Sequence, residues 1–369
     1  MTPIQLSTQQ QEARGAIRES LKRHRSFKLG GFAGTGKTTL LKYVIEDLSE
    51  LGRCAVMAPT GRAANVLCNK GVNATTIHRY LYELINDHPI EFRLKDTVEA
   101  AFFIIDEASM LSTPIMADLL SFQKPILFVG DPAQLEPVGD DAKAMHKPDF
   151  VLTQIHRTME DSDIIKFATR LRSSGAHPST LQREFEQSLP HNANSNLSFR
   201  ASNTIKRSEW LNFDQIIVGT NKTRARFNQT FKKSLEALPV ADDKLICLKN
   251  DYTCGVFNGE IFIVTPDKDG DIYGQDSDTG FNIIHLRAED GSVNWYPFWE
   301  EYFFDQSLNP LYKSKGQVWF DYAYAITCHK SQGSEWDNVA VVDEAFGNPP
   351  NRWRYTAATR AAKNLTWIR

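Results

Sequence analysis

The chain has 369 residues, 41% of them hydrophobic and 24% charged, which suits a folded protein of two or three domains and excludes a disordered one. A formal net charge of −3 excludes a chain-wide basic coat as the means of holding a polyanion, but leaves room for a locally charged channel. Five cysteines form no CxxC pair and no zinc-finger spacing, and no apolar run approaches the roughly 20 residues that span a bilayer. With no signal-peptide core in its polar N-terminus, the chain is expected in the cytoplasm, of a bacterium or of a host if phage-encoded, and away from any membrane.

In chain order, residues 6–24 have helical spacing, with Ser7 or Thr8 as cap and a basic run from Lys22 to Arg25 at the end. Phe27-Lys28-Leu29 is a short strand entering a glycine-rich turn. Residues Thr38–Leu51 follow as a helix, with Leu40, Leu41, Val44, Ile45 and Leu48 at helical spacing. Apolar strands are expected at Cys54–Met57, Ala101–Ile105 and Pro125–Val129, separated by helical stretches, so residues 1–150 form a parallel α/β domain. Gln215–Val218 and Val339–Val342 are expected as buried strands of a second α/β region beginning near residue 151. Between about 244 and 320 the pattern turns to short alternating segments, such as Gly259–Val264 and Phe281–Leu286, the mark of a small antiparallel β insertion. Residues 173–203, rich in Ser, Asn, His and Gln, are expected as an exposed loop or weakly structured segment.

The strongest local signal is Gly31-Phe32-Ala33-Gly34-Thr35-Gly36-Lys37-Thr38, a complete GxxxxGK[ST] loop between a strand and a helix. Its glycines let backbone N–H groups wrap phosphates at a helix N-terminus, so Gly34, Thr35, Gly36, Lys37, Thr38 and Thr39 are the candidate nucleotide contacts. Lys37 would reach the β- and γ-phosphates and Thr38 would ligate Mg²⁺. The required acidic partner follows in Ile104-Ile105-Asp106-Glu107, where Asp106 can hold the metal and Glu107 can polarise water. These two strings together imply NTP hydrolysis without saying what it drives.

A longer series of strings resembles superfamily 1 helicases of the RecD- and Dda-like group, over almost the whole chain. Leu6–Ala13 is similar to the adenine-reading Q motif, with Gln10 the best-aligned of three consecutive glutamines. Ala58–Ala64 and Thr75–Arg79 resemble motifs Ia and Ib, which places Pro59, Thr60 and His78 on the strand-binding face; Arg62 is equally readable as a solvated helix residue. Asp106–Met110 resembles motif II. Gly130–Val138 resembles motif III, whose Gln134 would sense the γ-phosphate. Leu152–Arg157 resembles motif IV and Tyr355–Ala361 motif VI, which makes Arg157 and Arg360 the candidate arginine fingers. Tyr324–Gly333 resembles motif V, with Thr327, His329 and Ser331 for the strand and Gly333 and Glu335 toward the nucleotide.

The resemblance implies two RecA-like P-loop cores, at 1–150 and at 151–243 plus 321–369. It further implies a small hairpin insertion about 85–100 that meets the duplex and an SH3-like β insertion at 244–320. Residues 85–100 are also readable as a plain surface loop. The basic residues Lys222, Arg224, Arg226, Lys232 and Lys233 are expected on a solvated face, with phosphate contact as the other reading. The implied protein is a monomeric 5′→3′ DNA helicase using ATP and Mg²⁺ on single-stranded DNA and single–double-strand junctions, in replication, recombination or repair. A single-strand-binding protein or replisome component is the partner class. Three alternatives stay open: an NTPase unrelated to strands, an ATP-switched translocase or annealing factor without unwinding, and an RNA helicase of the same superfamily, since no string reads the 2′-OH.

Overall fold

The computed structural model describes residues 5–87, 90–136, 144–155, 162–173, 180–181, 183–184, 187, 195–232, 238–251, 254–289, 291–308, 316–344 and 350–369; of 84–87, 90–92 and 350 it describes the backbone alone. The chain divides into two compact units, Met1–Ser198 with Gly333–Glu335 and Gly347–Asn364, and Phe199–Gln332 with Trp336–Phe346 and Leu365–Arg369.

In the first unit, helix α1 (Thr8–Lys22) starts at Ser7, whose Oγ accepts from Gln10 N while Gln10 Oε1 accepts from Ser7 N, a reciprocal capping box. Strands β1 (Phe27–Gly31), β2 (Cys54–Ala58), β3 (Ala74–Thr76), β6 (Phe102–Ile105), β7 (Ile126–Gly130) and β8 (Phe150–Leu152) form one parallel sheet in the order β3-β2-β6-β7-β1-β8. Their nearly unbroken apolar character follows from burial on both faces: every residue of β6 and β7 is buried. Helices α2 (Lys37–Asp47), α3 (Gly61–Asn69), α4 (Ile77–Leu81), α5 (Thr113–Ser121) and α6 (Asp163–Ser173) belong to the same unit. Between α4 and β6, strands β4 (Tyr82–Asp87) and β5 (Ile90–Leu94) pair as an antiparallel hairpin with an irregularity between Leu84 and Asn86.

Two further sheets are built mostly from residues of the second unit. Strands β9 (Leu197–Arg200), β10 (Gln215–Val218), β17 (Ala325–Thr327), β18 (Trp336–Val342) and β19 (Ala361–Ile368) lie in the order β17-β10-β18-β19-β9, with β10 parallel to β17 and β18. The sequence-based loop over 173–203 is therefore corrected at its end: Leu197 is buried and anchors a sheet-edge strand. The rest of that stretch lies mostly outside the described residues. Strands β11 (Lys244–Cys247), β12 (Ile261–Val264), β13 (Tyr273–Gln275), β14 (Asn282–Ala288), β15 (Val293–Pro297) and β16 (Phe320–Tyr322) make an antiparallel sheet packed on aromatic residues such as Phe262, Phe298 and Phe320. On helix α7 (Asn221–Phe231), Arg224 is not a solvated cation, because its guanidinium donates to the buried Asp321 at 2.6 Å; Lys222 and Arg226 are exposed, and Lys233 lies outside the described residues. Helix α8 (Pro350–Ala358) belongs to the first unit, where it packs on α6.

Candidate nucleotide site and strand-contact residues

The phosphate loop runs from the end of β1 into α2. Close approach fixes its first glycine: a Cβ on Gly31 would lie 2.9 Å from both Lys37 Cγ and Thr35 Oγ1. Gly34 and Gly36 take left-handed φ of 78° and 72°, which a side chain resists, so the loop turns back on itself and presents the α2 N-terminus. Thr35 is buried and its hydroxyl donates to Phe32 O at 2.8 Å; Thr38 and Thr39 are half-buried in the first turn of the helix. Lys37 Nζ donates to Gly31 O at 2.7 Å and Phe32 O at 3.2 Å, two neutral carbonyl partners that a phosphate can outbid.

Asp106 and Glu107 follow β6. Burial and the adjoining Glu107 push the Asp106 carboxyl up to about 6, while Lys37 pulls it the other way. Glu107 sits at φ 51°, a left-handed backbone held by a non-glycine residue, and such strain concentrates at functional positions. The Thr38 hydroxyl and Asp106 carboxylate are hard oxygen donors of the kind Mg²⁺ takes, and a cation beside Asp106 would restore its charge, so the residues fit a magnesium–nucleotide.

Gln10 is buried, and its amide is spent on the protein: besides the capping box, Nε2 donates to Thr35 O at 3.2 Å and Gly36 O at 3.4 Å. The three glutamines thus separate by partner. Gln9 ties down Val151, Thr153 and Gln154, Gln10 props the phosphate loop, and Gln11 bonds Leu6 O. Gln134 is buried, and its Oε1 lacks a hydrogen-bond partner among the described residues, as does Ser109 Oγ. Arg360 is buried, donating to Thr356 O and Ser334 O at 3.0 Å and to Thr359 Oγ1 at 3.1 Å. Gly333 lies against Ala63 of α3, Glu335 is exposed, and Arg157 lies outside the described residues.

The strand-contact candidates fall in both units. In the first, half-buried Pro59 precedes Thr60, which caps α3 by accepting from Ala63 N at 3.2 Å; Arg62, readable as solvated, is buried. His78 stacks on Tyr82 with ring centroids 5.3 Å apart, and burial lowers its pKa, so it is neutral at physiological pH. In the second, Thr327 ends β17, His329 is half-buried and held neutral by burial, and Ser331 is fully buried with its hydroxyl donating to Cys328 O at 2.7 Å.

Sequence reasoning passed over Asp131, Arg172 and Tyr355. Asp131 and Tyr355 lie inside the Gly130–Val138 and Tyr355–Ala361 strings, where Gln134 and Arg360 carry the stronger chemical signal. Arg172 has no local signal at all: its guanidinium lies 3.2 Å from the centre of the Phe32 ring, a contact only the fold creates.

A glycine loop on a parallel sheet, a lysine at its helix and paired acids on a neighbouring strand define a P-loop nucleotide-binding protein. Residues 5–193 match the AAA domain, more than half of the chain, and residues 322–368 match the UvrD-like helicase C-terminal domain. The chain belongs to the AAA-domain family and, within it, to the RecD- and Dda-like group of superfamily 1. It is 27% identical to the ATP-dependent RecD2 DNA helicase of Deinococcus radiodurans over 95% of this chain and 48% of the relative. It is 32% identical to the ATP-dependent DNA helicase dda of Enterobacteria phage T4, over 47% of this chain and 44% of that one. The chain thus spans about half the length of these curated relatives. Its fold is that of the Bacteroides Pif1 structure bound to ssDNA, with a TM-score of 0.62 and 20% identity over 99% of this chain and 92% of that one. Two RecA-like domains are part of that fold.

Proposed function

We propose that the chain is an ATP-dependent DNA helicase that translocates 5′→3′ on single-stranded DNA and opens duplex ahead of it. The observation that carries this reading is the joining, in one chain, of the Lys37–Asp106–Glu107 nucleotide site to the Gln134 and Arg360 segments. A kinase or simple NTPase has no use for those two segments. Lys37 and the loop amides hold the phosphates, Glu107 orients the attacking water, and Arg360 and Arg157 answer the charge on the transferring phosphoryl. Thr38 and Asp106 would hold Mg²⁺, which would supply neutralisation of the phosphate charge. Gln10 acts by supporting the loop. Adenine reading by Gln10 would require it to leave the Thr35 and Gly36 carbonyls.

Pro59, Thr60, His78 and His329 are the strand contacts in this reading, while the buried Thr327 and Ser331 shape the turn that presents His329. The β10, β17 and β18 sheet of the second unit belongs to the second core in this reading, 244–320 is its SH3-like insertion, and the β4–β5 hairpin meets the duplex. Direction rests on the named relatives and on the order of strings, since the phosphate machinery carries no polarity. ATP turnover measured with and without single-stranded DNA, then unwinding of duplexes tailed on one side only, tests the proposal. Stimulated turnover and opening from the 5′ tail are expected. Efficient opening from the 3′ tail alone would remove the direction, and unstimulated turnover would remove the helicase.

A further inference from the structure

Helix α8 carries a buried tyrosine, Tyr355, whose hydroxyl is engaged on both sides inside the first unit. It accepts from Ala33 N at 3.0 Å, in the phosphate loop, and donates to Asp131 Oδ2 at 2.6 Å, just past β7. Asp131 is itself buried and uses its other oxygen to accept from Ala133 N at 2.9 Å. We propose that Tyr355 is a positioning residue for ATP turnover, a hydroxyl bridge that makes the Phe32–Ala33 peptide and the Asp131–Gln134 segment respond to nucleotide as one piece. The proposal rests on the reading of this site as an ATPase.

Three independent contacts support the bridge. The Phe32–Ala33 stretch is held at both residues, Phe32 under the Arg172 guanidinium and Ala33 through Tyr355, so the peptide plane between them has little freedom. The segment after Asp131 is held to the same helix by two more of its residues: Leu135 N donates to Thr356 Oγ1 at 3.0 Å, and Arg352 Nη1 donates to Glu136 Oε1 at 2.6 Å and Gln134 O at 3.4 Å. Between these ties lies Gln134, whose side-chain oxygen has no partner among the described residues and stands ready for one. Desolvation and the facing Asp131 carboxylate raise the Tyr355 hydroxyl well above its ordinary value, so it is protonated and a donor at neutral pH. What the hydroxyl adds is a defined orientation for one loop amide and one carboxylate.

Positioning without phosphate contact predicts a split in the kinetics. Tyr355→Phe, measured as ATP turnover at saturating single-stranded DNA, should lower kcat about tenfold while KM for ATP stays within about twofold, since each lost orienting contact costs the transition state most. Asp131→Asn, isosteric and still an acceptor, should give an intermediate fall in kcat, and the double variant should lose no more than Tyr355→Phe alone. Thermal unfolding of each variant separates misfolding from misplacement; where Tyr355→Phe does not fold, Asp131→Asn carries the test. Wild-type kcat in the folded variants overturns the bridge while leaving the ATPase reading intact. A rise in KM with kcat unchanged does the same. A wild-type chain that does not hydrolyse ATP overturns both.

Discussion

The nucleotide region and the Thr327–Gln332 turn of the second unit were both read from motif strings, yet their polar atoms are in opposite conditions. Around the phosphate loop, Gln134 Oε1 and Ser109 Oγ are buried without partners among the described residues, and Lys37 rests on two backbone carbonyls. In the turn after β17, Ser331 Oγ is bonded to Cys328 O and Lys330 Nζ to Asn258 Oδ1. Unsatisfied buried groups are costly, so they persist where a ligand supplies the missing bond; satisfied ones hold a shape. The first region is built to receive something at its side chains. The second is largely a folded scaffold, and in the proposed reading His329 is its strand contact.

The largest expected effect breaks the first region. Lys37→Ala should lower ATP turnover by roughly 10³-fold or more, since one positioned cation on a transferring phosphoryl is worth that much, and single-stranded DNA should still bind. Turnover near wild type in that variant would refute the site. Arg360→Ala comes next, with kcat reduced by about 10²-fold or more and ATP affinity little changed. Because Arg360 also holds Ser334 and Thr356 carbonyls, the variant must be shown to stay folded before the loss is read as catalytic.

A smaller effect sharpens the contrast within the turn. His329→Ala should weaken single-stranded DNA binding about fivefold, the worth of one hydrogen bond of about 1 kcal/mol, with little change in stability. Ser331→Ala should do the reverse, costing about 1 kcal/mol of stability with the dissociation constant unmoved. Equal losses of DNA affinity in both would show that the buried Ser331 hydroxyl turns outward to the strand.

Much of this was legible beforehand because the signals are local. Strands β1, β2, β6 and β7 are short apolar runs bounded by turn residues, and the phosphate loop is one unbroken string. Ser7 as cap could be read from its place before the periodic stretch. What could not be read depends on partners distant in sequence. Gln10 looked like a base-reader until Thr35 and Gly36, some 25 residues on, took up its amide. Arg224 looked solvated until Asp321 arrived from 97 residues away, and Tyr355 was only an aromatic in a helix until Ala33 and Asp131 met its hydroxyl. Leu197–Arg200 was hidden for another reason: its polar surroundings mask a strand that needs burial of only one anchoring residue.

The mildest test concerns how α2 is moored behind the phosphate loop. Arg14 of α1 meets Asp47 at the end of α2 with both ends of its fork, Nε to Oδ2 at 2.6 Å and Nη2 to Oδ1 at 2.5 Å. A carboxylate at a helix C-terminus opposes the helix dipole, so Asp47 depends on this partner. The Arg14 hydrogen bond holds the Asp47 carboxyl below its usual range, in spite of the desolvation that works against it. A carboxyl whose folded pKa is depressed contributes stability that is fully present above the unfolded value, about 3.9, and is lost as pH falls through the lower folded value. The pair is partly solvent-exposed, so its worth is modest, and Asp47→Asn should cost about 1 kcal/mol at neutral pH. Denaturant titrations of wild type and Asp47→Asn should differ by a constant amount from pH 8 to about 5 and converge only below about 4. A gap that narrows between pH 8 and 5 would assign it to some other group. A gap that persists unchanged well below the unfolded value would show that the asparagine disturbs packing rather than the ion pair.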